Sequence, residues 1–230
     1  MSAPLLTIRG ITVRTLRGVD LDLDAGSIAV VAGPSGAGKS TLLDALLGVL
    51  PANGTILLDG VPADVPARRR SLAWVGQDAG ATLQPRWSAL RCVADPMHVA
   101  GVDEVAAEVR ARAALAEVGL DAEVAAALPR RLSGGQQQRV AIARALCQGA
   151  RILVLDEPSS ALPPEATVAL GGLLRSICGE SRAALVVSHD PTLAVAADAR
   201  VHHLEGGRIV RVEPAARWAA NEAARWQECS

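Results

Sequence analysis

The sequence predicts an α/β domain built on a parallel sheet, and three observations carry that reading. Short apolar runs at residues 28–32, 152–155 and 183–188 alternate with segments of helical character at 39–49 and 165–178, the pattern of βαβ units. The first run leads into a glycine-rich loop, residues 33–41, and the second ends in the acidic pair Asp156-Glu157. The length of 230 residues fits one large domain, or a core with one inserted subdomain. Such a chain buries roughly 70% of its unfolded surface and needs no disulfide or metal staple.

Taken in order, residues 5–13 and 19–23 alternate apolar with other side chains and read as two strands joined by a turn near Arg17-Gly18. Residues 28–32 form a buried strand, and residues 39–49 a helix with Leu42, Leu43, Leu46 and Leu47 on its inner side. Pro51, Asn53 and Gly54 turn the chain into a strand at 55–60. Arg68-Arg69-Arg70 reads as a solvated helix end before the strand at 71–76. From about 79 to 145 alanine-rich helical stretches take over, notably 103–119, opened by Asp103 as N-cap and stopped at Gly119. After a strand at 208–213, residues 214–228 read as a helix whose Trp218 and Trp226 pack on the parent domain.

Composition excludes several classes. The apolar fraction is 50%, yet no window reaches 18 consecutive apolar residues, so no transmembrane helix is expected. The opening residues lack the basic and apolar regions of a signal peptide. A net charge of −1 gives no basic surface, and no nucleic-acid partner is expected. Cys92, Cys147, Cys178 and Cys229 lie far apart without a CxxC pair and read as reduced thiols.

The chemistry is concentrated in a few segments. Gly33-Pro34-Ser35-Gly36-Ala37-Gly38-Lys39-Ser40-Thr41 matches G-x-x-x-x-G-K-S between a strand and a helix. Its glycines let backbone N–H groups face phosphate oxygens, and the helix N-terminus adds partial positive charge. Lys39 would reach the β- and γ-phosphates, Ser40 would face Mg²⁺, and Thr41 would support the α-phosphate. Lys39 is also the only lysine among 23 basic residues. Asp156, at a strand end, would hold Mg²⁺ through water, and Glu157 would polarise an attacking water. Ser133, Gly134, Gly135 and Gln136 stand before a helix as a second anion-binding turn. One nucleotide needs one phosphate loop, so this second turn points to a nucleotide held by another subunit. Gln77 and His189 each follow a strand, where Gln77 would reach Mg²⁺ or water and His189 a γ-phosphate.

With these residues the chain resembles the nucleotide-binding subunits of ATP-binding-cassette (ABC) transporters over roughly residues 5–212. The resemblance rests on the Walker A loop at 33–41, Gln77, the signature Leu132-Ser133-Gly134-Gly135-Gln136-Gln137-Gln138-Arg139, Asp156 with Glu157, and His189. The stretch Gln77-Asp78-Ala79-Gly80-Ala81-Thr82-Leu83-Gln84-Pro85-Arg86-Trp87-Ser88, together with Gly48-Val49-Leu50-Pro51, is similar to the dipeptide, oligopeptide and nickel importer branch. Two positions depart from the family pattern. No aromatic residue precedes Trp74, so the usual adenine platform is missing, with Val13 or Arg14 as candidates to cover the base. Pro163 replaces the aspartate that usually ends Ser160-Ala161-Leu162-Asp.

The resemblance implies a P-loop NTPase (RecA-like) core with a parallel sheet, an N-terminal antiparallel strand layer and an inserted helical subdomain. The core would span 1–79 and 146–230, and the subdomain, carrying the signature, 80–145. It implies ATP and Mg²⁺ as cofactors and a dimer with a second ATP-binding subunit, identical or different. Two transmembrane permease subunits and an extracytoplasmic solute-binding protein would complete the assembly, at the cytoplasmic face of the plasma (inner) membrane. Glu157, His189, Gln77 and Lys39 are the expected catalytic residues, and Ser40, Gln77 and Asp156 the expected metal-facing ones. A cytosolic ABC ATPase without transport, or a weakly hydrolysing regulatory subunit, remains as an alternative.

Overall fold

The computed structural model describes residues 3–228, with side chains placed through residue 224. Its strands are β1 (Leu6–Val13), β2 (Leu16–Leu23), β3 (Ile28–Ala32), β4 (Asn53–Leu58), β5 (Val61–Pro62) and β6 (Leu72–Val75). After a helical stretch come β7 (Ile152–Asp156), β8 (Ala183–Val187), β9 (Arg200–Glu205) and β10 (Arg208–Pro214). The helices are α1 (Lys39–Leu47), α2 (Val65–Ser71), α3 (Ala79–Thr82), α4 (Ala89–Val99) and α5 (Glu104–Glu117). They continue with α6 (Ala122–Ala126), α7 (Gly134–Cys147), α8 (Pro164–Ile177), α9 (Pro191–Ala196) and α10 (Ala215–Glu228).

Two sheets divide the strands. One is antiparallel in the order β2-β1-β4-β5, and the other runs β10-β9-β3-β8-β7-β6. In the second sheet β9, β3, β8, β7 and β6 are parallel, and β10 closes the edge antiparallel to β9. Side-chain alternation along the buried strands makes two cores. Val30, Leu153, Leu155 and Val186 face the helical side, where they meet residues of α4, α5, α7 and α8. Val31, Val154 and Leu185 face the antiparallel sheet, with Leu42, Leu43 and Leu46 of α1 between the sheets. The apolar runs that looked continuous in sequence are therefore buried on both faces, as parallel strands are.

The turn between the first two strands lies elsewhere than expected. β1 and β2 close at Val13↔Leu16, so the turn is Arg14-Thr15, with Arg14 at φ 50°. Gly18 is inside β2: its neighbours Arg17 and Val19 pair with Thr12 and Ile11, leaving Gly18 (φ 87°) as an unpaired bulge. A glycine marks either a turn or a bulge, and here the alternating burial of Leu16, Val19, Leu21 and Leu23 required the bulge. α1 stops two residues early because Gly48, at φ 71°, turns its N–H and that of Val49 back onto the carbonyls of Ala45 and Asp44.

Arg69 and Arg70 are solvated as expected, whereas Arg68 is half-buried and caps α1 by donating to the carbonyls of Ala45 and Leu46. Asp103 caps α5, and Ala107, Ala111 and Ala114 form its buried face, small enough for close approach to α4 and α7. Cys92, Cys147 and Cys178 are free and buried, and burial pushes the Cys178 thiol up to about 12. Trp218 is buried edge-on to His203, with ring centroids 6.1 Å apart. The Trp226 side chain and Cys229 lie outside the described residues. Among those residues no helix is long and apolar enough to cross a membrane.

Candidate functional site: a nucleotide-binding and hydrolysis site

Four neighbouring parallel strands deliver the expected groups at their C-terminal ends. β3 feeds the loop at 33–38, β8 leads to His189, β7 ends in Asp156-Glu157, and β6 leads to Gln77. Loops that leave the carboxyl ends of parallel strands form the ligand-binding edge of such sheets.

The phosphate loop has a geometry only glycine supplies at two points. Gly36 and Gly38 adopt φ 79° and 108°. Gly38 is the N-cap of α1 and offers no side chain, so the first helical N–H groups are not covered by a cap. A methyl on Gly38 would lie 2.7 Å from Leu16 Cδ2 and 2.9 Å from Thr15 Oγ1, which seats the β1–β2 turn against the loop. Lys39 Nζ donates to the carbonyls of Gly33 (2.7 Å) and Pro34 (3.1 Å), spanning the loop from inside. Pro34, Ser35 and Ser40 are exposed, Thr41 is half-buried, and Ala37 is buried beneath the loop. An oxyanion in this loop would meet backbone N–H groups, a helix N-terminus and an ammonium group.

Ser40 and Asp156 line one cavity of about 380 Å³, together with Asp44, Leu43 and Trp74. Burial, reinforced by the nearby Glu157 and Asp44 carboxylates, raises the Asp156 carboxyl above the usual aspartate range, and Lys39 opposes the shift. No cluster of three metal-ligating side chains occurs among the described residues. One hydroxyl beside a carboxylate short of positive charge suits Mg²⁺, which takes few protein ligands and fills its shell with water and phosphate oxygens. Ser40 and Asp156 would hold the ion, and when bound it would neutralise phosphate charge.

Glu157 adopts φ 46°, a left-handed backbone unusual outside glycine, and is held there by its N–H donating to Val187 O at 2.8 Å. Its Oε2 lies 2.9 Å from His189 Nδ1. Among the described residues Oε1 has no hydrogen-bond partner, so it is free to accept from a water. The Glu157 side chain is 17% exposed and that of His189 72%. A carboxylate so placed could orient a water and take its proton, with His189 fixing the carboxylate and available to a phosphate.

Ser133 and Gln136 form a reciprocal cap at the start of α7: Gln136 N–H donates to Ser133 Oγ at 3.3 Å, and Ser133 N–H to Gln136 Oε1 at 2.9 Å. The Gln136 side chain is thus engaged in shaping the turn. The exposed Ser133 hydroxyl keeps its own proton to donate, and exposed Gly134 lies beside it. Methyls on Gly134 and Gly135 would touch Leu162 and Ala166, so the signature turn abuts the chain on both sides of Pro163.

Sequence reasoning missed three supporting groups. Asp44 stands one turn into α1 beside Asp156. Asp190 caps α9 through Thr192 N–H and accepts from Ser159 Oγ at 3.0 Å, tying the loop after Glu157 to the loop after His189. Asp190-Pro191 is a helix-start signal that could have exposed this role. Trp74 is half-exposed, with its ring so close over Gly76 that an added methyl would lie 2.7 Å away. Trp87 is half-buried against the helical core, and the Arg91 guanidinium sits 4.7 Å from its ring centre.

The profile of the ABC transporter family matches residues 16–160. The chain belongs to the ABC transporter family. Two relatives show how broad its neighbourhood is. The lipoprotein-releasing system ATP-binding protein LolD of Paramagnetospirillum magneticum is 40% identical over 210 residues, 87% of this chain and 91% of its own. The nickel import ATP-binding protein NikE of Pseudomonas putida is 39% identical over 219 residues, 91% and 80%. A solved ATP-binding cassette, dimeric in a post-hydrolysis state with ADP and Pi, superposes with a TM-score of 0.75 at 27% identity over 91% of this chain and 98% of that one. This ABC protein is an ATP-binding subunit of a transporter that hydrolyses ATP coupled to transport. Relatives at nearly equal identity serve release and import, so similarity does not single out the importer branch.

Proposed function

We propose that this ABC ATPase powers import of a peptide, nickel ion or metal chelate through two separate permeases fed by a solute-binding protein. The observation that carries the reading is the stretch 77–88, which is similar to that of the importer branch, in a chain that carries Lys39, Gln77, Asp156, Glu157 and His189. Lys39 and the loop at 33–41 bind the triphosphate, Ser40, Asp156 and Gln77 face Mg²⁺, Glu157 takes the proton of the attacking water, and His189 positions it. Ser133, Gly134 and Gly135 close over a nucleotide held by a second ATPase. The chain works as a core of 1–79 and 146–230 with a helical subdomain of 80–145, docked peripherally on the cytoplasmic face of the membrane.

Pro163 supports a different second subunit. Proline has no N–H, and its side chain carries no carboxylate to cross the dimer, so a distinct partner would supply the missing contact. The similarity to LolD favours a second reading, release of a lipid-linked substrate from the membrane.

The test is reconstitution of the chain in proteoliposomes with two candidate permeases and a solute-binding protein. The importer reading expects ATP-dependent uptake of a dipeptide or Ni²⁺ that requires the binding protein. ATP-dependent release of a lipidated protein, without such uptake, would contradict it.

A further inference from the structure

The segment after Gln77 and the segment before Ser133 are joined by one side chain. α3 begins two residues after Gln77 and lies along α7. At Gly80 the two approach so closely that an added methyl would lie 2.3 Å from Gln137 Oε1 and 3.2 Å from its Cδ. The same Gln137 amide donates through Nε2 to the carbonyls of Pro129 (2.9 Å) and Leu132 (3.3 Å), in the turn that leads into the signature. Seven residues on, on the same face of α7, Arg144 donates to the Thr82 carbonyl at 3.1 Å and faces Asp95 of α4 at 3.6 Å. α3 therefore packs on Gln137 at Gly80 and is hydrogen-bonded to α7 through Arg144, and Asp78, next to Gln77, caps it through Ala81 N–H at 2.9 Å.

We infer that Gln137 is a positioning residue that lets the segment after Gln77 set the placement of the signature turn. A displacement of Gln77 carries α3, α3 carries the Gln137 amide through the bare Gly80 surface, and that amide holds the carbonyls of Pro129 and Leu132. Glycine at 80 leaves this amide its place, and a methyl there would push the amide off those carbonyls. The inference rests on the proposed roles of Gln77 and of Ser133, Gly134 and Gly135.

The test is amide hydrogen exchange of the full chain without nucleotide, paired with steady-state ATP hydrolysis. Gly80→Ala should speed exchange at residues 129–136 by about fivefold, the effect of losing an ordinary hydrogen bond, though the change lies some fifty residues away. Gln137→Ala and Gln137→Glu, which cannot donate to both carbonyls, should do the same without adding bulk. Gly80→Ala combined with Gln137→Ala should match Gln137→Ala alone, because the methyl then has room. All four should lower kcat with the ATP dissociation constant unchanged. Parental exchange at 129–136 in Gly80→Ala, additive effects in the double variant, or a parental kcat would each overturn the inference. Turnover surviving in Glu157→Gln would instead overturn the site assignment and leave the exchange result standing.

Discussion

Glu157 Oε2 and His189 Nδ1 lie 2.9 Å apart, on loops leaving the adjacent strands β7 and β8. The contact depends on the left-handed backbone at Glu157, since an ordinary strand conformation would carry the carboxylate elsewhere. The Ser159–Asp190 hydrogen bond fastens the same two loops a few residues on. Two independent links thus hold Glu157 against His189, at the edge of the sheet that also carries the loop at 33–38.

Lys39→Ala should weaken ATP binding by about 10- to 100-fold, because a hydrogen bond to a charged group contributes roughly 1.5–3 kcal/mol. No second lysine exists to replace it. Lys39→Arg should not restore affinity, because a broad planar guanidinium does not reproduce the compact ammonium that now meets the Gly33 and Pro34 carbonyls. Titration calorimetry with ATP checks this, and parental affinity in Lys39→Ala would refute the role.

Asp156→Asn should lose magnesium-dependent turnover while stabilising the fold. The Asp156 carboxyl is raised by burial and by the Glu157 and Asp44 charges, so above its folded pKa the native state bears a charge it holds at a cost. The neutral amide removes that cost, and Tm should rise at pH 7. A thermal melt without nucleotide and magnesium decides the matter, and a fall in Tm would contradict the electrostatic account.

Much of this site was legible because its signals are local. The spacing from Gly33 to Ser40, the signature turn and the acidic pair each declare themselves within ten residues. The parallel strands were equally plain, since burial on both faces leaves runs such as 152–155 wholly apolar. What stayed hidden depends on distant partners. Gly18 reads as a turn until Thr12, Ile11 and Val19 fix the register around it. Asp190 reads as an ordinary cap until Ser159, 31 residues earlier, is brought onto it. Trp87 showed its size in sequence, but which arginine it meets depends on the helical turn that brings Arg91, four residues on, over the ring.

Acid should destabilise the fold through His202. Burial lowers this imidazole to about 4, with Arg200 and His203 adding to the shift and Asp22 opposing it, and its Nδ1 has no partner. Between about 4 and the ordinary value of 6.5 the unfolded chain binds the proton and the folded chain does not. Stability is therefore flat above pH 6.5, falls as pH drops toward 4, and loses roughly 3 kcal/mol in all from this group. His202→Gln should flatten that part of the profile in urea unfolding at pH 4.5 and 7. An unchanged slope would show that other groups govern acid sensitivity.

In the proposed mechanism Glu157 takes the proton of the water that attacks ATP bound on the Gly33–Ser40 loop. The most direct test compares Glu157→Gln with the parent chain, measuring phosphate release and ATP binding side by side in magnesium. ATP affinity should stay within about twofold of the parent and turnover should fall by about 10²- to 10⁴-fold, the range for removing a general base. Phosphate release at the parental rate, with ATP bound equally well, would contradict it.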